Sequence, residues 1–194
     1  MLTTTSANLG NMVSMAIASI FLPFLPLLAG QVLLNNFLSD IPAIGIASDA
    51  VDRELVQVPR RWDMRFITRF MLQFGLVSTL FDLLTFAALL GLGAASAELF
   101  RTGWFVESLL TELVIALVVR TRRPFFRSRP GKLLLWSTVG LFAFTLCVPY
   151  LPGAELFGFT PLPITIVAML LAITGLYVVA TELVKARFYR HHPE

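Results

Sequence analysis

The residues best suited to binding an ion lie in one apolar stretch that reads LLNNFLSDIPAIGIA. Asn36, Ser39 and Asp40 stand at positions i, i+3 and i+4, a spacing that places them on one face of a helix. Pro42 lacks an amide hydrogen, so the carbonyl oxygen of Leu38 loses its helical hydrogen bond. A carboxylate, a carboxamide, a hydroxyl and a free carbonyl are hard oxygen ligands, which suit Mg²⁺ or Ca²⁺ better than Zn²⁺ or Cu⁺. This stretch therefore predicts a cation site.

Other polar residues lie in apolar segments nearby. Asn8 and Asn11 are three positions apart at the start of the first segment, and Asn35 neighbours Ser39 on the second. The alternative interpretation is that such residues only form hydrogen bonds between helices, as they commonly do in membrane bundles. For Asn8 or Asn35 taken alone we favour that alternative, whereas the cluster around Asp40 favours a cation site.

Three further carboxyl groups lie in apolar sequence, and two of them, Asp82 and Glu112, are additional candidate ligands. For Asp82 we favour a hydrogen bond to a neighbouring helix, and Glu112 stays open. For Glu107 we expect a place at the outer membrane interface beside Trp104. All three tryptophans lie near the ends of predicted spans: Trp62, Trp104 and Trp136. Aromatic belts form at such positions, so we expect these side chains at the membrane interfaces.

The composition is that of a multi-span, all-α integral membrane protein. Of the 194 residues, 57% are hydrophobic and 14% are charged, whereas a soluble domain carries about 25% charged residues. Because a span needs about 20 apolar residues, we predict six spans. They cover residues 7–22, 27–47, 66–91, 104–120, 133–150 and 163–183. The predicted organisation is an ion-site hairpin (1–47), a cytoplasmic loop (48–65), and four support helices with a tail (66–194).

The basic residues predict the orientation. In a six-span arrangement, all of the 15 lysines and arginines except Arg101 fall on one side of the membrane. Basic residues are retained on the cytoplasmic face, so we expect both termini to be cytoplasmic and the chain to lie in the cytoplasmic membrane.

Nothing favours nucleic acid as a partner, and the single cysteine, Cys147, excludes an intramolecular disulfide framework. The N-terminus lacks the basic region of a signal peptide and leads abruptly into a span, so we expect a piece of a longer protein.

Three segments carry a resemblance to a known family. SANLGNM, LLAGQVLLNNFLSDIPAIGIASDAVDRELVQVPRRWD and TGWFVESLL…RTRRPFF resemble the last six membrane helices of P-type cation-transporting ATPases, most closely the bacterial magnesium-translocating branch. The resemblance implies helices five to ten of such a pump. It also implies a set of cation ligands: Asn8, Asn11, Asn36, Ser39 and Asp40. Calcium pumps of the family carry a glutamate where this chain has Asn11, which argues against a calcium site.

The resemblance implies Mg²⁺ as the transported ion and a partner that carries the rest of the pump. ATP would act only through that missing N-terminal portion, because this chain has neither a DKTGT phosphorylation motif nor an ATP-binding motif and is not an ATPase alone. The other expected partners are lipid and the transported cation. One alternative is a freestanding membrane protein that conducts cations passively or serves as a regulatory or structural subunit. Another is a pump part for Ca²⁺, K⁺, Na⁺ or a polyamine.

Overall fold

The computed structural model describes residues 2–46, 64–92, 96–121 and 130–191. These ranges are all-helical, as predicted, and contain six α-helices. They are α1 (Leu2–Phe21), α2 (Ala29–Ile46), α3 (Met64–Gly91), α4 (Ala97–Val119), α5 (Lys132–Cys147) and α6 (Ile164–His191). Two short 3₁₀ turns, Val148–Tyr150 and Ala154–Phe157, connect α5 to α6. Most of the predicted loop 48–65, including its arginines at 53, 60 and 61, lies outside the described residues.

The helix ends follow from local sequence. Pro23 and Pro26 lie in the connection between α1 and α2, where they cannot extend either helix. Helix α4 begins at Ala97, about two turns before the predicted span. The Oγ atom of Ser96 caps it by accepting a hydrogen bond from the Leu99 amide at 3.1 Å. Hydropathy missed this start because polar and charged residues occupy the first turns of the helix.

Helix α4 is the centre of the bundle, because it packs against each of the other five helices. Its sides are almost entirely buried, with an aromatic core of Phe100, Trp104 and Phe105. The same helix also buries polar side chains, among them Glu107, Ser108, Thr111 and Glu112. A helix in this position brings its polar groups within reach of several neighbours at once.

Helix α1 lies unusually close to α3 because small residues face each other across the contact. A Cβ atom added to Gly10 would lie 2.7 Å from the Cβ atom of Ser78 and 3.0 Å from the Gly75 carbonyl oxygen. A Cβ atom added to Gly75 would lie 3.3 Å from the Ser6 carbonyl oxygen. Close backbone approach through small residues is typical of helix pairs in membranes.

The surface of the bundle is that of a membrane protein. Among the described residues, four helices are long and apolar enough to cross a membrane: Ile67–Gly91, Ala97–Val119, Lys132–Tyr150 and Ile164–Arg190. A shorter apolar helix covers Ser6–Phe21. Large apolar side chains are exposed while many polar ones are buried. This distribution suits a lipid environment rather than water.

Candidate cation site

A cavity of about 290 Å³ lies between α1, α2, the connection that joins them, and α4. Its polar wall consists of four carboxamide side chains, those of Asn8, Asn11, Asn35 and Asn36. Its apolar wall is formed by Met12, Met15, Leu27, Val32 and Trp104. The structure thus brings both predicted asparagines of α1 together with Asn36 of α2.

Glu112 of α4 lies beside the polar wall and is buried. The Nδ2 atom of Asn11 donates hydrogen bonds to Oε1 of Glu112 and, at 2.8 Å, to Oγ of Ser108. The second carboxyl oxygen of Glu112, Oε2, has no hydrogen-bond partner in the described part of the chain. One anionic oxygen is therefore held by α1, and the other is available for a ligand.

Helix α2 contributes the third side of the site. The side chains of Asn35 and Ser39 lie close enough to the Glu112 carboxyl group to interact with it, and the charge of Asp40 also acts on it. Asn35 is 4% exposed, and its Oδ1 atom has no hydrogen-bond partner among the described residues. A carboxyl oxygen and a carboxamide oxygen from two helices are thus both unpartnered, the arrangement expected where a hard cation binds.

The face of α2 that was predicted to bind a cation is only partly directed into the bundle. Asn36 and Asp40 are exposed, and Ser39 is half-buried with its hydroxyl donating to the Asn36 carbonyl oxygen at 3.1 Å. The buried carboxamide of this helix is Asn35, for which we favoured an ordinary hydrogen bond between helices. The spacing of these residues shows that they share a face, but it does not show which way the face points. Helix α2 continues through Pro42, which is buried.

Asp82 lies in a second polar cluster on the other side of Trp104. Its Oδ1 atom accepts a hydrogen bond from Nε1 of Trp104 at 3.0 Å, and its Oδ2 atom accepts one from the hydroxyl of Ser14. Asp82 of α3 is thus bonded to α4 and α1, in line with the interhelical role favoured from the sequence. The structure does not bring it to the carboxamides of the cavity.

Two expectations about α4 were wrong. Trp104 and Glu107 are both 0% exposed, so neither lies at the membrane interface. The aromatic-belt rule failed for Trp104 because α4 is central and begins earlier than hydropathy indicates, so this position packs against Phe86 and Phe100 instead. Trp136, at 71% exposed, fits a belt position, and Trp62 lies outside the described residues.

The chemistry of the described cavity is that of neutral oxygen ligands with few charges. Within residues 2–46, 64–92, 96–121 and 130–191, no group of three or more His, Cys, Asp or Glu side chains could hold a metal ion. Carboxamides, hydroxyls and a single buried carboxylate bind weakly to soft transition metals and better to hard cations. The site therefore suits a hard cation.

Comparison with known proteins agrees with this geometry. A family model described as "Cation transporting ATPase, C-terminus" matches residues 24–187. The chain belongs to this family. The resemblance to the C-terminal membrane region of P-type cation pumps is therefore confirmed. The matched range, 24–187, covers α2 to α5 and most of α6. It begins after α1, the helix that carries Asn8 and Asn11.

Similar full-length proteins are bacterial magnesium pumps. The "Magnesium-transporting ATPase, P-type 1" of Escherichia coli strain K12 is 38% identical over 194 aligned residues, which cover 97% of this chain and 22% of that protein. A protein of the same name from Salmonella typhimurium strain LT2 is 37% identical over 191 residues, which cover 96% of this chain and 21% of that protein. The chain thus spans about a fifth of the length of these relatives.

Proposed function

We propose that this chain is the C-terminal transmembrane part of a P-type pump that transports Mg²⁺, and that the cavity between α1, α2 and α4 belongs to its ion path. One observation carries the proposal: carboxamides of α1 and α2 line one cavity, and beside it Glu112 of α4 meets Asn11 of α1 and Asn35 of α2. The similarity to magnesium-transporting relatives supports magnesium as the ion.

The size of the cavity supports a partly hydrated cation. At about 30 Å³ per water, an octahedral shell of six waters fills roughly 180 Å³, which is less than the 290 Å³ of the cavity. Carboxamide oxygens can accept hydrogen bonds from such water or replace individual molecules. A single buried carboxylate then supplies the negative charge, whereas Ca²⁺ sites use several carboxylate ligands.

The proposed ligand set keeps the five residues implied by the resemblance and the candidate Glu112, and it adds Asn35. It contains Asn8, Asn11, Asn36, Ser39 and Asp40, joined by Asn35 and Glu112; Asp82 is left out because its oxygens are bonded elsewhere. Asn36 and Asp40 form an exposed polar edge of α2. Because a carboxylate facing lipid is costly, we propose that the remainder of the pump covers this edge and completes the site.

The proposed arrangement in the cell follows from the charge pattern. All six helices cross the cytoplasmic membrane, and both termini and the loop 48–65 lie on the cytoplasmic side. Domains outside this chain bind ATP and are phosphorylated, and the resulting change in their contacts opens the cavity to one side of the membrane or the other. This chain contributes ligands and support helices, but no ATP chemistry.

Complementation tests the proposal. The chain is co-expressed with the N-terminal remainder of a related magnesium pump in cells that lack Mg²⁺ uptake, and growth is measured at low Mg²⁺. Wild type is expected to restore growth, Asp40→Ala is not, and Glu155→Ala, which alters an exposed carboxylate between α5 and α6, serves as the control. Rescue by Asp40→Ala would remove Asp40 from the site. A lack of rescue by wild type, with both chains in the membrane, would overturn the pump assignment.

A further inference from the structure

Two further carboxyl groups, those of Asp82 and Glu107, lie inside the bundle, away from the polar wall of the cavity. Asp82 of α3 is 1% exposed and Glu107 of α4 is 0% exposed. Asp82 is hydrogen-bonded to Trp104, which lies three residues before Glu107 on the same face of α4, and the Asp82 and Glu107 side chains interact. Glu107 lies five residues before Glu112, about 7.5 Å along the helix axis and on a different face. The proposed cation site does not use this pair.

The two carboxyl groups have very different partners. Both oxygens of Asp82 accept hydrogen bonds, from the Ser14 hydroxyl and from the Trp104 indole. Neither oxygen of Glu107 has a hydrogen-bond partner anywhere in the described ranges. Hydrogen-bond donors stabilise an ionised carboxylate, so Asp82 is the member equipped to carry the negative charge. An ionised Glu107 would have no donor and would face a second negative charge.

No positive charge compensates the pair. Among the described residues, neither Asp82 nor Glu107 forms a salt bridge, and helix α1 carries no charged residue. The titratable groups that act on the pair from elsewhere are Tyr177 of α6 and Glu112 of α4. Asp40 of α2 and Lys132 of α5, the charged residues of those two helices, form no hydrogen bond or salt bridge with it.

We propose that Asp82 and Glu107 form a proton-binding site in which the Glu107 carboxylic acid donates a hydrogen bond to the Asp82 carboxylate. A single proton then satisfies both groups: it removes the repulsion between two buried anions and provides Glu107 with a hydrogen bond. This is the arrangement expected of two carboxyl groups that share one site. The inference does not rest on the identity of the transported ion.

Trp104 connects the proton site to the cation cavity. Its indole ring lines the cavity, and its Nε1 atom donates to Asp82 at 3.0 Å. Loss of the proton would place a second negative charge beside the acceptor of this hydrogen bond. The proton site and the cavity wall therefore share the side chain of Trp104.

Infrared spectroscopy of the full chain in lipid nanodiscs tests the site, because a protonated carboxyl group has a carbonyl stretching band separate from that of a carboxylate. At neutral pH and in a Glu112→Gln background, which removes the other buried glutamate of α4, we expect a protonated-carboxyl band that Glu107→Gln removes. Glu98→Gln, which alters an exposed carboxylate on the same helix, is expected to leave the band unchanged. Asp82→Asn is expected to shift the band, because it replaces the acceptor of the proton. An unchanged band in Glu107→Gln would overturn the proposal.

Two further measurements keep the test decisive. Labelling the side-chain carboxyl carbon of glutamate with ¹³C in a Glu112→Gln background should shift the band without altering the pair, and an unshifted band would overturn the proposal even if Glu107→Gln failed to fold. A metal ion in place of the proton gives a different result. In that case the Mg²⁺-dependent rise in melting temperature would be smaller for Glu107→Gln than for wild type, and Glu107→Gln would remove no protonated-carboxyl band, which would overturn the proposal.

Discussion

Glu112 is the side chain on which α1, α2 and α4 meet, and its unpartnered oxygen makes it a ligand of the proposed site. We expect Glu112→Gln to weaken Mg²⁺ binding at least about tenfold, which corresponds to about 1.4 kcal/mol. Because ligand binding stabilises the folded state, the loss is measured as a smaller Mg²⁺-dependent rise in melting temperature. Glu98→Gln on the exposed start of α4 is the control. Equal Mg²⁺ responses of the two variants would remove Glu112 from the site.

Trp104 has a structural role that Trp136 lacks. Replacing Trp104 by Phe removes the indole donor to Asp82 and leaves a buried carboxylate oxygen without a partner. We expect a loss of about 1–3 kcal/mol in the free energy of unfolding. Trp136→Phe, at an exposed position of α5, should change it by less than about 0.5 kcal/mol. Denaturation followed by circular dichroism measures both, and similar losses would contradict the assigned hydrogen bond.

The contact between α1 and α3 determines where Asn11 and Ser14 lie, because both residues are on α1 within one turn of Gly10. A methyl group at Gly10 would collide with Ser78, so we expect Gly10→Ala to cost about 1–3 kcal/mol of stability. Gly140→Ala on α5 has open space around the new methyl group and should be neutral or stabilising by up to about 1 kcal/mol. If Gly10→Ala were as stable as wild type in a denaturant titration, the close approach would be wrong.

The C-terminal end of α4 is held by a lysine of α6. The Nζ atom of Lys185 is almost fully buried and donates to the Val118 carbonyl oxygen at 2.8 Å, while pairing with Glu182 at 2.7 Å. A cation at a helix C-terminus satisfies a free carbonyl and interacts favourably with the helix dipole. We expect Lys185→Met to cost about 1–3 kcal/mol, measured by thermal unfolding. Lys132→Met, at an exposed position, should leave the melting temperature unchanged, and an equal effect of both would contradict this role.

Across the whole molecule, hydropathy was sufficient to predict six helices, because long apolar segments are local features. Three of the polar residues noted within those segments, Asn8, Asn11 and Asn36, line the cavity. What depends on packing could not be read from the sequence. The spacing showed that Asn36, Ser39 and Asp40 share a face of α2, but not whether that face points into the bundle. Asn35, which is buried, was therefore not predicted to be a ligand. The burial of Trp104 and Glu107 follows from the central position of α4, which only contacts between distant segments reveal.

The central claim is that this bundle provides part of a Mg²⁺ path within a larger pump, and ATP-driven transport tests it most directly. The chain and the N-terminal remainder of a related magnesium pump are reconstituted together in proteoliposomes, and Mg²⁺ flux is followed with an indicator dye after ATP is added. We predict that flux requires both chains and is lost with Asp40→Ala but retained with Glu155→Ala. Flux that is absent with both wild-type chains inserted, or that is unchanged by Asp40→Ala, would contradict the account.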